Sequence, residues 1–97
     1  MPAKLRFYII NYGNTVATID KSKILVFTIV EGEKVPLYKS YFELNLSRSS
    51  VEPNDEITVE LKIEPFGDIP QIRKYAIEIP YEPGNKYLYK EFIIYWI

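Results

Sequence analysis

Cysteine and histidine are both absent from the chain. Without cysteine there can be no disulfide framework and no thiolate metal site. Without histidine, the usual general base and the commonest metal ligand are missing, and most hydrolase mechanisms go with them. No catalytic residue, metal ligand or cofactor site is therefore expected. A basic tract is lacking too: formal net charge is −1, with both signs spread along the chain, so nucleic acid is not an expected partner. No apolar run is long enough to span a membrane, and no signal segment follows Met1-Pro2-Ala3-Lys4. If Met1 is the native start, the expected location is the cytoplasm or a virion; if the chain is an excised fragment, it is the outside or surface of a cell. Gln71 is the single glutamine amid abundant Ile, Tyr, Lys and Glu, a usage resembling that of thermophilic proteins. The length of 97 residues suits one domain over 1–97 with one core.

What is present reads as β structure. Leu5, Phe7 and Ile9 alternate with Arg6 and Tyr8, and Ile10 interrupts the alternation. Asn11-Tyr12-Gly13-Asn14 then reverses the chain, with Asn11 and Gly13 acting as turn residues rather than ligands. Val16 to Ile19 resumes as a short strand and Asp20 to Ser22 turns. Ile24 to Val30 is apolar nearly throughout, as in a strand buried on both faces. Gly32 centres the next turn. Val35 to Leu46 reads as one long or broken strand, with Tyr38, Phe42, Leu44 and Leu46 on one face and Leu37, Lys39, Tyr41 and Glu43 on the other. Pro36 limits its start to an edge or loop.

After a polar break at Ser47-Arg48-Ser49-Ser50, the turn Val51-Glu52-Pro53-Asn54-Asp55 enters the most regular strand, Glu56 to Glu64. Ile57, Val59, Leu61 and Ile63 point one way, with Glu56, Thr58, Glu60, Lys62 and Glu64 opposite. The glutamates on that wet face have nothing beside them to separate their pKa values, so they read as a solvated face rather than a catalytic pair. Phe66 and Ile69 of the following loop are expected to tuck against the core. Arg73 to Tyr81 is a further strand that ends at Pro80 or lies at a sheet edge. Glu82-Pro83-Gly84-Asn85 turns into the last, Tyr87 to Ile97.

That last strand is apolar on both faces. Leu88, Phe92, Ile94 and Trp96 form one set; Tyr87, Tyr89, Ile93, Tyr95 and Ile97 form the other. Such a strand is central in a sheet, covered by a loop, or used for contact, because an exposed apolar edge invites aggregation. A count of about seven strands with short turns and no helical period predicts an all-β, immunoglobulin-like antiparallel sandwich.

The order of features resembles immunoglobulin-like β-sandwich modules of prokaryotic, particularly archaeal, cell-surface proteins, among them cell-adhesion-related and archaellum accessory domains. Phe7, Ile9, Asn11, Gly13 and Asn14 match the early strand and its Asn-x-Gly turn. Val51 through Leu61, with Asn54 where Gly is usual, and Tyr75-Ala76-Ile77-Glu78-Ile79 match the later strands. The resemblance implies a non-catalytic module that joins, spaces or recognises other proteins.

Three functions compete. The first is a structural or protein-binding module in a surface or virion assembly, contacting another protein or a second copy of itself. Its candidate interface is Tyr87, Tyr89, Ile93, Tyr95 and Ile97, in a chain with nine tyrosines, a residue type enriched at interfaces. Equally, Tyr87, Tyr89, Tyr95 and Trp96 could complete the core and its rim. The second function is carbohydrate binding, with exposed tyrosines and Trp96 forming a stacking platform. The third, an enzyme using carboxylates alone, ranks last because so small a domain offers little cleft. Asn45-Leu46-Ser47 is a glycosylation triplet that matters only if the chain is exported.

Overall fold

The computed structural model describes residues 2–65, 67 and 71–96. Within them the chain is an antiparallel β-sandwich. One sheet contains β1 (Ala3–Ile10), β5 (Phe42–Leu46) and β7 (Glu56–Ile63), in the order β1-β7-β5. The other contains β3 (Leu25–Val30), β4 (Glu33–Pro36), β8 (Gln71–Tyr81) and β9 (Lys86–Trp96), in the order β4-β3-β8-β9. Two-residue strands, β2 (Ala17–Thr18) and β6 (Ser50–Val51), pair with each other, and Thr18 exchanges both backbone hydrogen bonds with Glu82. This joint ties the β8–β9 hairpin to the end of the sandwich.

The core follows from the two-residue period. Ile57, Val59, Leu61 and Ile63 of β7 are buried, and across the sandwich Val26 of β3, Tyr75, Ile77 and Ile79 of β8, and Ile94 and Trp96 of β9 meet them. Tyr75 stacks on Phe92 with ring centroids 5.8 Å apart, and its hydroxyl accepts a 3.4 Å hydrogen bond from Trp96 Nε1. Thr28, buried on the core side of β3, donates its hydroxyl to the Lys74 carbonyl at 3.4 Å, so its desolvation is offset.

The turns carry the residues their backbone demands. Glu31 and Gly32 both have positive φ (51° and 82°), the two-residue turn whose twist suits a hairpin, here between β3 and β4. Pro53-Asn54 reverses the chain ahead of β7: Asn54 takes φ 64°, and the Asp55 amide donates to the Glu52 carbonyl at 3.1 Å. Asparagine tolerates this left-handed conformation.

Several expectations need correcting. Of the two readings of Val35 to Leu46, one long strand or a broken one, the broken one holds, but its faces need correcting. The stretch divides into β4 and β5 around a short 3-10 turn, Lys39–Tyr41, in which the chain leaves one sheet for the other. Crossing between sheets inverts the phase, so Leu37 packs against the core while Tyr38 is 77% exposed. The alternation of β1 continues through Ile10, whose side chain points outward despite being apolar. Pro80 neither ends β8 nor lies on the edge strand of its sheet. Pairing with β3 stops at Leu25–Glu78, so at Pro80 the strand has a neighbour on the β9 side alone and the missing amide is tolerated. The β3 segment is buried on both faces only at its middle, since Leu25 and Val30 are exposed. Phe66 and Ile69 lie outside the described residues.

Candidate functional site

The last strand, apolar on both faces, is an edge. β9 pairs with β8 on one side, and no described strand pairs with its other side. Its two sets of side chains separate as the period requires. Ile94 and Trp96 enter the core, Phe92 packs partly against it, and Leu88 lies at the rim. Tyr87, Tyr89, Ile93 and Tyr95 all project from the outward face of the four-stranded sheet and are exposed, Tyr95 by 66% and Ile93 by 52%. Ile97, the fifth candidate interface residue, lies outside the described residues.

Trp96 is 5% exposed and bonded to Tyr75, so it cannot join a sugar-stacking platform, and its contribution to the core is that of a buried indole. The tyrosines do not share this role. Their rings stand on the side of the sheet away from the core.

The register shows how this outward face is built. Moving along the β8–β9 hairpin from its open end, Ile72 stands beside Tyr95, Lys74 beside Ile93, Ala76 beside Glu91, Glu78 beside Tyr89, and Pro80 beside Tyr87. β3 adds Ile29 next to Lys74, Phe27 next to Ala76 and Leu25 next to Glu78. The face thus has an apolar end at Ile72, Ile93 and Tyr95, a charged middle, and a second aromatic end at Tyr87 and Tyr89.

Two of the charges in the middle, Lys74 and Glu91, are satisfied within the face. Lys74 Nζ lies 2.9 Å from Glu91 Oε1, and the Tyr89 hydroxyl donates to Glu91 Oε2 at 2.7 Å. The Lys74 ammonium first, then the Tyr89 hydroxyl, hold the Glu91 carboxyl below the usual carboxylate range. The same hydrogen bond to the carboxylate pushes the Tyr89 phenol up. Lys34 on β4 places its ammonium 4.4 Å from the Tyr89 ring centroid and 5.7 Å from that of Phe27. Phe27 is buried although it lies on the solvent side of the sheet. With Lys74 and Glu91 paired to each other, that part of the face can meet an apolar surface at reduced desolvation cost.

Sequence reasoning misses Ile72, which is 67% exposed at the apolar end. A signal for it exists: stepping the two-residue period back from Lys74 reaches Ile72, but the sequence pattern places the start of the strand at Arg73. Leu25 and Lys34 belong to the same face only because β3 and β4 pair alongside β8, and no sequence pattern records that pairing.

The wet face of β7 behaves as a solvated surface. Arg6 Nη2 contacts Glu60 Oε1 at 3.1 Å, and Lys62 Nζ lies 3.8 Å from Glu43 Oε2, all on exposed side chains. Such pairs add little stability.

No family model matches the chain, and no curated protein matches it in sequence. Among solved structures, the chain is similar to the archaellum periplasmic stator protein FlaG from Sulfolobus acidocaldarius, with 19% identity over 92% of this chain and 85% of that one, and a TM-score of 0.58. At that identity the likeness is one of fold: both chains form an all-β sandwich-like domain. No described helix is long and apolar enough to cross a membrane.

Proposed function

We propose that this chain is a non-catalytic structural module of a cell-surface assembly, an immunoglobulin-like sandwich that associates with a second copy of itself through the outward face of β8 and β9. One observation carries the reading: Ile72, Ile93 and Tyr95 stand exposed together at one end of a sheet face and Tyr87 at its other end, with a charged pair, Lys74 and Glu91, already joined between them. Apolar side chains gathered on one face mark interaction surfaces, and tyrosine supplies contact area there at small entropic cost. The Lys74–Glu91 ion pair favours self-association, because it lowers the cost of covering the face and a second copy brings the same internally paired charges.

Strand order supports the immunoglobulin-like assignment. The order β4-β3-β8-β9 corresponds to the C′-C-F-G sheet of such domains and β1-β7-β5 to strands B, E and D. The surface location rests on the similarity to a protein named as a periplasmic stator, and on the resemblance of the turn and strand motifs to archaeal surface modules.

Sedimentation velocity across a wide concentration range tests the association. The expected result is a concentration-dependent dimer or larger species that becomes monomeric in Ile93→Glu, with the near-ultraviolet dichroism of the folded domain retained. A wild-type chain that stays monomeric at every concentration would overturn self-association.

A further inference from the structure

The two sheets do not close on each other along one side. β1 is the outer strand of its sheet and β9 of the other, and between these two edges runs a groove formed by two adjoining cavities of ≈ 360 and ≈ 310 Å³. Ile9, Ile10, Tyr12 and Leu88 line both, which makes them one continuous depression. Its floor includes the buried Ile77 and Ile79, and Tyr8, Ile10, Tyr12 and Leu88 remain exposed at its rim. The walls are two unpaired strand edges, each a row of backbone donors and acceptors able to accept another strand.

Charge in the groove has one sign. Lys86 and Lys90 are the charged residues among those lining the two cavities, and no carboxylate joins them. Both lie on the core-facing side of β9 with Leu88 between them, since Lys86, Leu88 and Lys90 pair with Tyr81, Ile79 and Ile77. Neither ammonium has a carboxylate within ion-pair distance among the described residues. The four-residue separation along a strand is about 13 Å. A strand pairing with β9 would place residues j, j+2 and j+4 opposite Lys90, Leu88 and Lys86.

We infer that the seam between β1 and β9 accepts an extended segment of another protein, one bearing an acidic residue, an apolar residue and a second acidic residue at alternate positions. The inference rests on the protein-binding reading above and adds a second surface with its own chemistry. In the strand correspondence already drawn, the place beside β1 is where an immunoglobulin domain has a further strand, and no described strand fills it here. A second copy of this chain is a poor occupant when it presents β9, because it brings the same two lysines to the edge. Inward-pointing lysines on an edge strand are a device against such self-pairing. An acidic partner turns the same two residues into contacts.

The test uses ¹⁵N-labelled protein titrated with the capped peptide Ser-Glu-Thr-Ile-Thr-Glu-Ser, and with a control in which both glutamates are lysine. The acidic peptide is expected to shift the amide signals of Tyr8, Ile10, Leu88 and Lys90, weakening as salt is added, with the control binding roughly tenfold more weakly. In the double variant K86E/K90E the preference should reverse, a rescue that a folding defect cannot imitate. Equal response to both peptides, no response to either, or shifts confined to Ile93 and Tyr95 would overturn the inference. So would β1 and β9 signals that depend on protein concentration without peptide, because they would put a second copy in the seam. If the peptide fails while Ile93→Glu still abolishes association, the seam is wrong and the outward face stands. If the peptide binds as expected while the wild-type chain stays monomeric, the seam stands and self-association through the outward face is wrong.

Discussion

β7 and β9 reverse what their apolar content suggests. β7 is central in its sheet yet apolar on one face only, with Glu56, Glu60 and Lys62 outward. β9 is an edge yet apolar on both faces, with Tyr87, Ile93 and Tyr95 outward. In a two-layer sandwich even a central strand has one face in water, so β7 needs only alternation to be stable. The fold asks no more of β9. Its outward apolar residues therefore exceed what the sandwich requires, and that excess is what points to function.

The largest difference between the two strands is expected in the core. Leu61→Ala on the buried face of β7 should cost roughly 2–5 kcal/mol in urea unfolding, whereas Ile93→Ala on the outward face of β9 should stay within about 0.5 kcal/mol for the monomer. A comparable loss at Ile93 would mean that the outward face is structural. Within β9 itself, Trp96→Ala should cost roughly 3–5 kcal/mol while its neighbour Tyr95→Ala costs less than about 1 kcal/mol.

A smaller effect tests how β7 is entered. Asn54→Ala must still adopt φ 64° and should lose about 1 kcal/mol, while Asn54→Gly should be close to neutral. Equal losses would show that the turn depends on the asparagine side chain rather than on its backbone.

Acid pH gives the smallest effect and compares the two halves electrostatically. Asp55 is held below the usual carboxylate range by Arg48 and then by the Glu56 amide, and Glu91 by Lys74 and then by Tyr89. A carboxyl whose folded pKa is depressed contributes stability that is present above its unfolded pKa and is lost as pH falls through the lower folded value. Both contributions should therefore persist at neutral pH and fade only below the usual carboxylate range. Because these groups are exposed, the loss should be small and salt-sensitive. Lys74→Met should raise the Glu91 pKa towards its ordinary value in a carboxyl-carbon NMR titration and leave Asp55 unmoved.

Much of the fold is legible in the sequence because local period and burial coincide. β7 reads directly from Ile57 to Ile63, and the turns around Gly32, Asn54 and Gly84 announce themselves through residues that accept positive φ. The interval from Val35 to Leu46 misleads because a period counted through a change of sheet mixes two frames of reference. The edge position of β9 is not legible, since which strands pair is a tertiary outcome. The outward set Tyr87, Tyr89, Ile93 and Tyr95 separates from the core set by counting alone, whereas Ile72 is lost at a strand boundary. The lysines that mark the seam carry meaning only once β1 and β9 are known to border one groove.

The most direct test compares the outward faces of the two sheets. Because the chain has no cysteine, Ile93→Cys and Lys62→Cys each introduce a single thiol, one on either outward face. Thiol labelling rates measured over increasing protein concentration should fall for Ile93→Cys as molecules associate and stay constant for Lys62→Cys. Rates that remain constant at both positions would show that the outward face of β9 is not an interface between copies.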